Sequence, residues 1–150
     1  MSDASSLATR LLICDDTEAI RILLRTMIER NSEMRVVGEA ADGDQVVIAA
    51  TQLQPDVILL DLAMPTRSGL DALPELRQVA PEAKIIVFSG FAGATVIEQA
   101  LALGADSYLQ KGTAPALILA TIQDCLARRS PEQAISAAGV VFDAPDHRER

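Results

Sequence analysis

Five polar residues stand at points in the sequence from which they could act together in one reaction. Asp15 and Asp16 directly follow an apolar run. Asp61 and Ser89 directly follow two later runs, and Lys111 lies just after another. Three carboxylates in one pocket repel each other and stay ionised only beside a cation, unless one becomes protonated. Because the set offers oxygen ligands without His or Cys, a hard cation is favoured, and few carboxylates at an open edge favour Mg²⁺.

This set of side chains fits phosphoryl transfer to an aspartate. A carboxylate can attack phosphorus and form an acyl phosphate. The charge on the three phosphoryl oxygens then needs partners. Mg²⁺ could bind one oxygen, the Lys111 ammonium a second and the Ser89 hydroxyl a third.

Five apolar runs, each followed by a helix-like stretch, must position these residues. The runs cover residues 10–14, 34–38, 56–60, 84–88 and 107–109. The first, third and fourth are apolar at successive positions, which is typical of strands buried on both faces of a parallel sheet. Apolar residues at helical spacing predict helices over residues 17–30, 43–53, 69–80, 95–103 and 113–128.

The repeated strand–helix order predicts an α/β fold, because right-handed crossovers then give an open parallel sheet with helices on both faces. Ligands bind at the carboxyl ends of the strands in such sheets, so the five polar residues should meet there. The second run supplies no comparable residue, which favours an outer position for that strand. Asp42 is a plausible N-cap, Gly104 a C-cap and Thr113 a cap followed by Pro115, while Pro74 is expected to shorten or kink its helix.

Composition excludes several other classes of protein. The net charge of −8 disfavours direct binding to nucleic acids. Aromatic residues make up 3% of the chain, so the core must be aliphatic, and the lone Cys14 and Cys125 are expected to pack in it. No signal peptide or membrane-length apolar run is visible, so a cytoplasmic location is expected. We expect an N-terminal segment over residues 1–8, one domain over 9–129 and a tail over 130–150.

Four motifs, taken together and in order, resemble the receiver domain of two-component response regulators. They are residues 11–16, residues 59–65 with Gly69, the Ser89-Gly90 step and residues 108–111. The resemblance covers about residues 9–128. It implies a flavodoxin-like (βα)₅ three-layer sandwich with strand order 2-1-3-4-5. It also implies phosphotransfer to Asp61 from a sensor histidine kinase or another phospho-His donor.

The resemblance also implies a set of ligands for Mg²⁺. Asp16 should bind the ion directly and Asp15 mainly through water. Asp61 should be both a ligand and the phospho-acceptor, and the backbone carbonyl of Ala63 a further ligand.

Switching roles follow from the same resemblance. Lys111 should pair with Asp61 and later with the phosphoryl group, Ser89 should move to bond a phosphoryl oxygen, and Tyr108 should turn inward when it does. The surface that changes would be the fourth helix, fifth strand and fifth helix, roughly residues 95–128, where a downstream protein partner would bind. Homodimerisation on phosphorylation is a further hypothesis.

The sequence departs from the family pattern after the lysine, where many members have a cis proline and this chain has Gly112. A cis bond without proline costs about 2.5–4 kcal/mol, so we expect a trans bond. The positions that tune acyl-phosphate lifetime are Ala63 and Phe91, and their opposing effects leave the lifetime open.

Two other functions remain as alternatives to a receiver that is not itself a turnover enzyme. An Asp-nucleophile phosphatase would usually have a second aspartate two residues after the first, where this chain has Ala63. A degenerate receiver could act as a scaffold without phosphorylation. A flavin carrier is disfavoured, because Asp15 and Asp16 would repel the flavin phosphate. Residues 36–43 resemble receivers that precede a helix-turn-helix domain, so the chain is either a fragment or, as its initial Met mildly favours, a stand-alone receiver.

Overall fold

The computed structural model describes residues 7–90 and 93–128, in which five strands alternate with five helices. The strands are β1 (Thr9–Cys14), β2 (Met34–Ala40), β3 (Val57–Leu60), β4 (Lys84–Ser89) and β5 (Ser107–Gln110). The helices are α1 (Glu18–Glu29), α2 (Gly43–Leu53), α3 (Gly69–Val79), α4 (Ala94–Ala102) and α5 (Pro115–Ala127). No helix in the described part of the chain is long and apolar enough to span a membrane.

The strands form one parallel sheet in the order β2-β1-β3-β4-β5. This confirms the predicted flavodoxin-like (βα)₅ fold, its strand order and the outer position of the second strand. Cys14 pairs with Leu60, and Leu60 pairs with Val87, so the carboxyl ends of the central strands reach the same level. The residues that follow these strands therefore share one edge of the sheet.

Different helices cover the two faces of the sheet. Leu11 and Ile13 of β1 belong to a cluster of buried residues that includes side chains from α1 and α5. Leu12 and Cys14 belong to a second cluster, with side chains from α2, α3 and α4. Successive strand residues point to opposite faces, which is why the runs are apolar at every position.

Two of the predicted helix ends are confirmed. Asp42 caps α2, because its carboxylate accepts a hydrogen bond from the amide of Gln45. Gly104 follows α4 with φ of +123°, the left-handed conformation that ends many helices. α3 continues past Pro74 to Val79, so the proline does not end that helix.

The predicted cap at Thr113 is wrong. Ala114 occupies the N-cap position of α5, and its side chain makes no capping hydrogen bond. Pro115 is the first helical residue, where its missing amide and fixed φ are tolerated. The Thr113 hydroxyl instead donates to the carbonyl of Gln110 at 2.6 Å, which closes the turn after β5.

Several predictions fall partly or wholly outside the described residues. They concern the tail over 130–150, most of the segment over 1–8 and the lifetime role of Phe91. Cys14 and Cys125 are both buried in the core, as expected for small apolar residues.

Candidate metal centre

The loop after β1 places two acidic residues at the carboxyl edge of the sheet. The amide of Asp15 donates to the carbonyl of Ala40 at 3.0 Å, which ties the loop to the end of β2. Oδ1 of Asp15 accepts a hydrogen bond from the amide of Thr17 at 2.9 Å, which fixes the carboxylate at the start of α1. Asp15 is buried, whereas Asp16 is exposed.

Asp61 follows β3 and is held by the backbone around it. Its amide donates to the carbonyl of Cys14 at 2.9 Å, and its Oδ1 accepts from the amide of Ala63 at 3.1 Å. Gly69 packs against this turn so closely that a Cβ there would lie 2.1 Å from the Asp61 carbonyl oxygen. Only glycine fits at this position, which explains the spacing between Asp61 and Gly69.

Lys111 brings the two buried aspartates together. Its amide donates to the carbonyl of Ser89 at 2.8 Å, an extension of the β4–β5 ladder. Its Nζ lies 2.6 Å from Oδ2 of Asp15 and 3.1 Å from Oδ2 of Asp61. Burial lowers the pKa of Lys111, but the contacts with Asp15 and Asp61 outweigh burial and raise it, so the amine stays charged.

The three aspartates form a cluster that can hold a metal ion. Asp15, Asp16 and Asp61 each offer a carboxylate oxygen, and these atoms all lie within 4.8 Å of one another. Oδ2 of Asp15 is buried and, apart from its ion pair with Lys111, has no hydrogen-bond partner among the described residues. Three negative charges thus face the single positive charge of Lys111, and an all-oxygen cluster with surplus negative charge fits a hard divalent cation.

The pKa of Asp61 is shifted first by burial and then by the groups around it. Burial raises the pKa of Asp61, and the nearby charge of Asp15 raises it further. The amide of Ala63 and the ammonium of Lys111 lower it, but the net result is a pKa above the usual value. The carboxylate of Asp61 is therefore less favourably solvated than a surface carboxylate, which is the condition that a bound cation relieves.

The structure places the remaining predicted residues on β4, on β5 and in the loop after Asp61. Ser89 is buried at the end of β4, and its hydroxyl makes no hydrogen bond to another described residue. Tyr108 lies on β5 opposite Val87, half-buried against the core cluster that includes α2 and α3. Ala63 is exposed in the loop after Asp61. The structure thus places Ser89, Tyr108 and Ala63 on the elements that the sequence indicated.

The turn after Lys111 has the geometry expected from its glycine. No cis peptide bond occurs in residues 7–90 or 93–128, so the Lys111–Gly112 bond is trans, as predicted. Gly112 has φ of +97°, a conformation that glycine adopts readily and other residues rarely do. A trans Lys111–Gly112 bond and a glycine with positive φ therefore make this turn.

Sequence reasoning missed a second group of charged residues beside the cluster. Nη1 of Arg21 donates to the backbone carbonyl of Asp15 at 2.7 Å, and its Nε donates to Glu39 at 2.9 Å. Arg25 also pairs with Glu39. One sequence feature could have indicated this group. Glu39 precedes Ala40 at the end of β2, so Glu39 lies at the same edge of the sheet as Asp15.

A doubly wound parallel sheet with an acidic cluster at its carboxyl edge defines a class of ligand-binding α/β domains. Comparison with known families gives the particular member of that class. The family model described as the response regulator receiver domain matches residues 11–123. The chain belongs to this family, whose members act in two-component systems.

Several curated proteins are similar to this chain. The transcriptional regulatory protein YxjL of Bacillus subtilis is 30% identical over 134 residues, covering 89% of this chain and 62% of that protein. A protein-glutamate methylesterase/protein-glutamine glutaminase of Azospirillum brasilense is 41% identical over 106 residues, covering 69% of this chain and 27% of that protein. This chain therefore spans from about a quarter to about three fifths of the length of these relatives.

Solved structures agree with the family. The response regulator domain of Thermotoga maritima CheB aligns with a TM-score of 0.76 and 29% identity, covering 82% of this chain and 99% of that chain. The receiver domain of NarL from Mycobacterium tuberculosis aligns with a TM-score of 0.77 and 27% identity, covering 81% and 98% of the two chains.

Proposed function

We propose that this chain is the phospho-accepting receiver of a two-component or phosphorelay system, in which Asp61 takes a phosphoryl group from a phospho-His donor. The donor would be a sensor histidine kinase or another phospho-His protein. The observation that carries the proposal is the ammonium of Lys111, which bridges Asp15 and Asp61 beside a third carboxylate. We further propose that the domain covers residues 9–129 and works in the cytoplasm.

The metal in this proposal is Mg²⁺, held by Asp15, Asp16, Asp61 and the backbone carbonyl of Ala63. The all-oxygen cluster supports this assignment, as does the buried Oδ2 of Asp15, which has an ion pair with Lys111 but no hydrogen bond among the described residues. When bound, the ion would neutralise the carboxylates and the negative charge of the incoming phosphoryl group.

In the proposed reaction, a carboxylate oxygen of Asp61 forms a bond to phosphorus as the bond between phosphorus and the donor imidazole breaks. The imidazole nitrogen leaves with the bonding electron pair, and the ring leaves neutral with a proton that it already carries or takes from water, so the reaction needs no oxidant or reductant. Ala63 orients the carboxylate through its amide hydrogen bond to Oδ1. Lys111 already contacts Oδ2 and would contact the phosphoryl group next.

The proposed output is a change in the surface formed by α4, β5 and α5. Ser89 would move to donate its hydroxyl to a phosphoryl oxygen, and Tyr108 would turn inward when Ser89 moves. A downstream protein would then recognise this surface, while neither nucleic acid nor a membrane is a proposed partner. If phosphorylation also drives homodimerisation, sedimentation should show a larger mass with beryllofluoride than without it.

Intact-mass measurement tests the proposal directly. Incubation with acetyl phosphate and Mg²⁺ should add one phosphoryl group to the wild-type chain, and Asp61→Asn should remove the labelling completely. Asp56→Asn is the matched control, because Asp56 directly precedes the strand that Asp61 follows and lies at the other edge of the sheet.

Each outcome of this experiment separates the candidate functions. Labelling of Asp56→Asn but not Asp61→Asn supports the receiver. Labelling that persists in Asp61→Asn contradicts the choice of acceptor. A folded wild-type chain that takes no label would indicate a scaffold, and sustained hydrolysis of p-nitrophenyl phosphate would indicate a phosphatase.

A further inference from the structure

Arg21 of α1 donates a hydrogen bond to the backbone between the two consecutive aspartates of the cluster. Its Nη1 donates to the carbonyl oxygen of Asp15 at 2.7 Å, and its Nε donates to Glu39 at 2.9 Å. The side chain of Arg21 is 18% exposed; its contact with the Asp15 carbonyl is partly buried, whereas its contact with Glu39 is exposed. The carbonyl that it holds belongs to the peptide bond joining Asp15 to Asp16.

We propose that Arg21 is a positioning residue for the acidic cluster, and that it places the carboxylate of Asp16 by holding the Asp15–Asp16 peptide. The inference rests on the proposed metal site. It adds a residue outside the ligand set that controls how well the ligands converge.

The two aspartates differ in how their side chains are fixed, and this difference makes the backbone contact important. The carboxylate of Asp15 is held by the Thr17 amide and by Lys111. The carboxylate of Asp16 makes no hydrogen bond or ion pair with a described residue. Because like charges repel it from the other two carboxylates, its place depends on the backbone to which it is attached.

Glu39 supports the same contact from β2. It orients the guanidinium of Arg21 and balances its charge beside a site that must accept a cation. Arg25 pairs with the same glutamate but makes no contact with the Asp15 carbonyl. Helix α1 therefore carries two arginines of equal charge that both pair with Glu39. Only Arg21 also donates a hydrogen bond to the Asp15 carbonyl.

The loss of Arg21 should change the Mg²⁺ affinity in opposite directions, depending on whether its charge or its positioning contact matters more. Removing a positive charge near a cation site should tighten Mg²⁺ binding if charge alone matters. Removing a positioning contact should weaken it, by about tenfold for a group that orients a metal ligand. Tighter Mg²⁺ binding would therefore indicate a charge effect, and weaker binding would indicate a positioning role.

The experiment is calorimetric titration of Mg²⁺ into the apo chain and its variants. Arg21→Ala should bind about tenfold more weakly, Arg25→Ala should stay within about twofold of wild type, and Arg21→Lys should recover part of the loss. Circular dichroism melts identify any variant that is unfolded. Unchanged or tighter binding by Arg21→Ala, or an equal loss in Arg25→Ala, would overturn the proposal. If Arg21→Ala does not fold, unchanged binding by Arg21→Lys and Glu39→Gln would overturn it.

Asp16→Asn separates this inference from the proposed function on which it rests. The variant should lose most of the Mg²⁺ affinity. Wild-type affinity in Asp16→Asn would refute the metal site and the positioning role together. Lost affinity in Asp16→Asn with full affinity in Arg21→Ala would refute the positioning role alone.

Discussion

The two edges of the sheet use the same residue type in different ways. At the amino edge, Asp56 and Asp106 each accept a hydrogen bond from a backbone amide at a strand start, Arg10 at 2.9 Å and Ile85 at 2.8 Å. Asp106 also pairs with Arg77. At the carboxyl edge, Lys111 pairs with Asp15 and Asp61, while the carboxylate of Asp16 beside them has no paired cation among the described residues.

The difference shows what separates a structural carboxylate from a functional one. At the amino edge the negative charge is matched by nearby donors, so the carboxylates stabilise the fold with no further partner. At the carboxyl edge the charge exceeds the donors, and the excess is an unfavourable interaction that a bound cation would remove. Carboxylates at both edges lie at strand ends and accept hydrogen bonds from backbone amides, so the distinguishing feature of the carboxyl edge is that three carboxylates crowd around one ammonium.

The largest effect on stability is expected from Asp106→Ala at the amino edge. The change removes the oxygen that accepts a hydrogen bond from the Ile85 amide. It also removes a charged partner of Arg77. Nε of Arg77 already has no hydrogen bond among the described residues. We expect a loss of about 2–3 kcal/mol in the free energy of unfolding, measured by urea denaturation. Asp44→Ala is the control, since Asp44 pairs with Arg67 at the surface and should cost less than about 1 kcal/mol. If Asp106→Ala and Asp44→Ala lose the same free energy of unfolding, Asp106 has no structural role beyond that of a surface carboxylate.

Binding of Mg²⁺ should produce the next largest effect, now at the carboxyl edge. An ion that binds only the folded chain stabilises it by about 1.4 kcal/mol at ten times its Kd. Wild type should therefore melt at a higher temperature with Mg²⁺ than with EDTA. Asp106→Asn should keep this increment and Asp16→Asn should lose it. An increment that survives in Asp16→Asn would contradict the site.

The smallest effect is expected from Asp16→Asn in the absence of any divalent ion. Here the substitution should raise the free energy of unfolding by about 1 kcal/mol, because two repulsions across roughly 5 Å of water-exposed space disappear. The gain should shrink as NaCl rises, because salt screens exposed charges. A loss of stability in low salt would mean that the described cluster is not under electrostatic repulsion.

The fold was largely predictable because burial controls it. Continuous apolar runs locate β1, β3 and β4, and their order with the helices sets the topology. The end of β2 was less predictable: the strand reaches Ala40 instead of residue 38, and a register shift between Leu11 and Leu12 aligns Ala40 with Cys14. Such a shift depends on the partner strand, and no pattern within β2 reveals it.

The approach of Asp15, Asp16, Asp61 and Lys111 to one another was predictable, and their individual contacts were less so. The parallel sheet alone brings residues after β1, β3 and β5 to one edge. The closer approach of Lys111 to Asp15 than to Asp61 depends on loop geometry that spacing does not encode. The bridge from Arg21 to Glu39 joins residues of two elements, and each reads in the sequence as an ordinary surface charge.

The placement of Tyr108 has a spectroscopic consequence. The chain has one tyrosine and no tryptophan. Emission excited at wavelengths that phenylalanine does not absorb therefore arises from a single ring on β5, next to the strand that ends in Ser89. Any change in that emission during a titration reports on one known place in the molecule, without an attached dye.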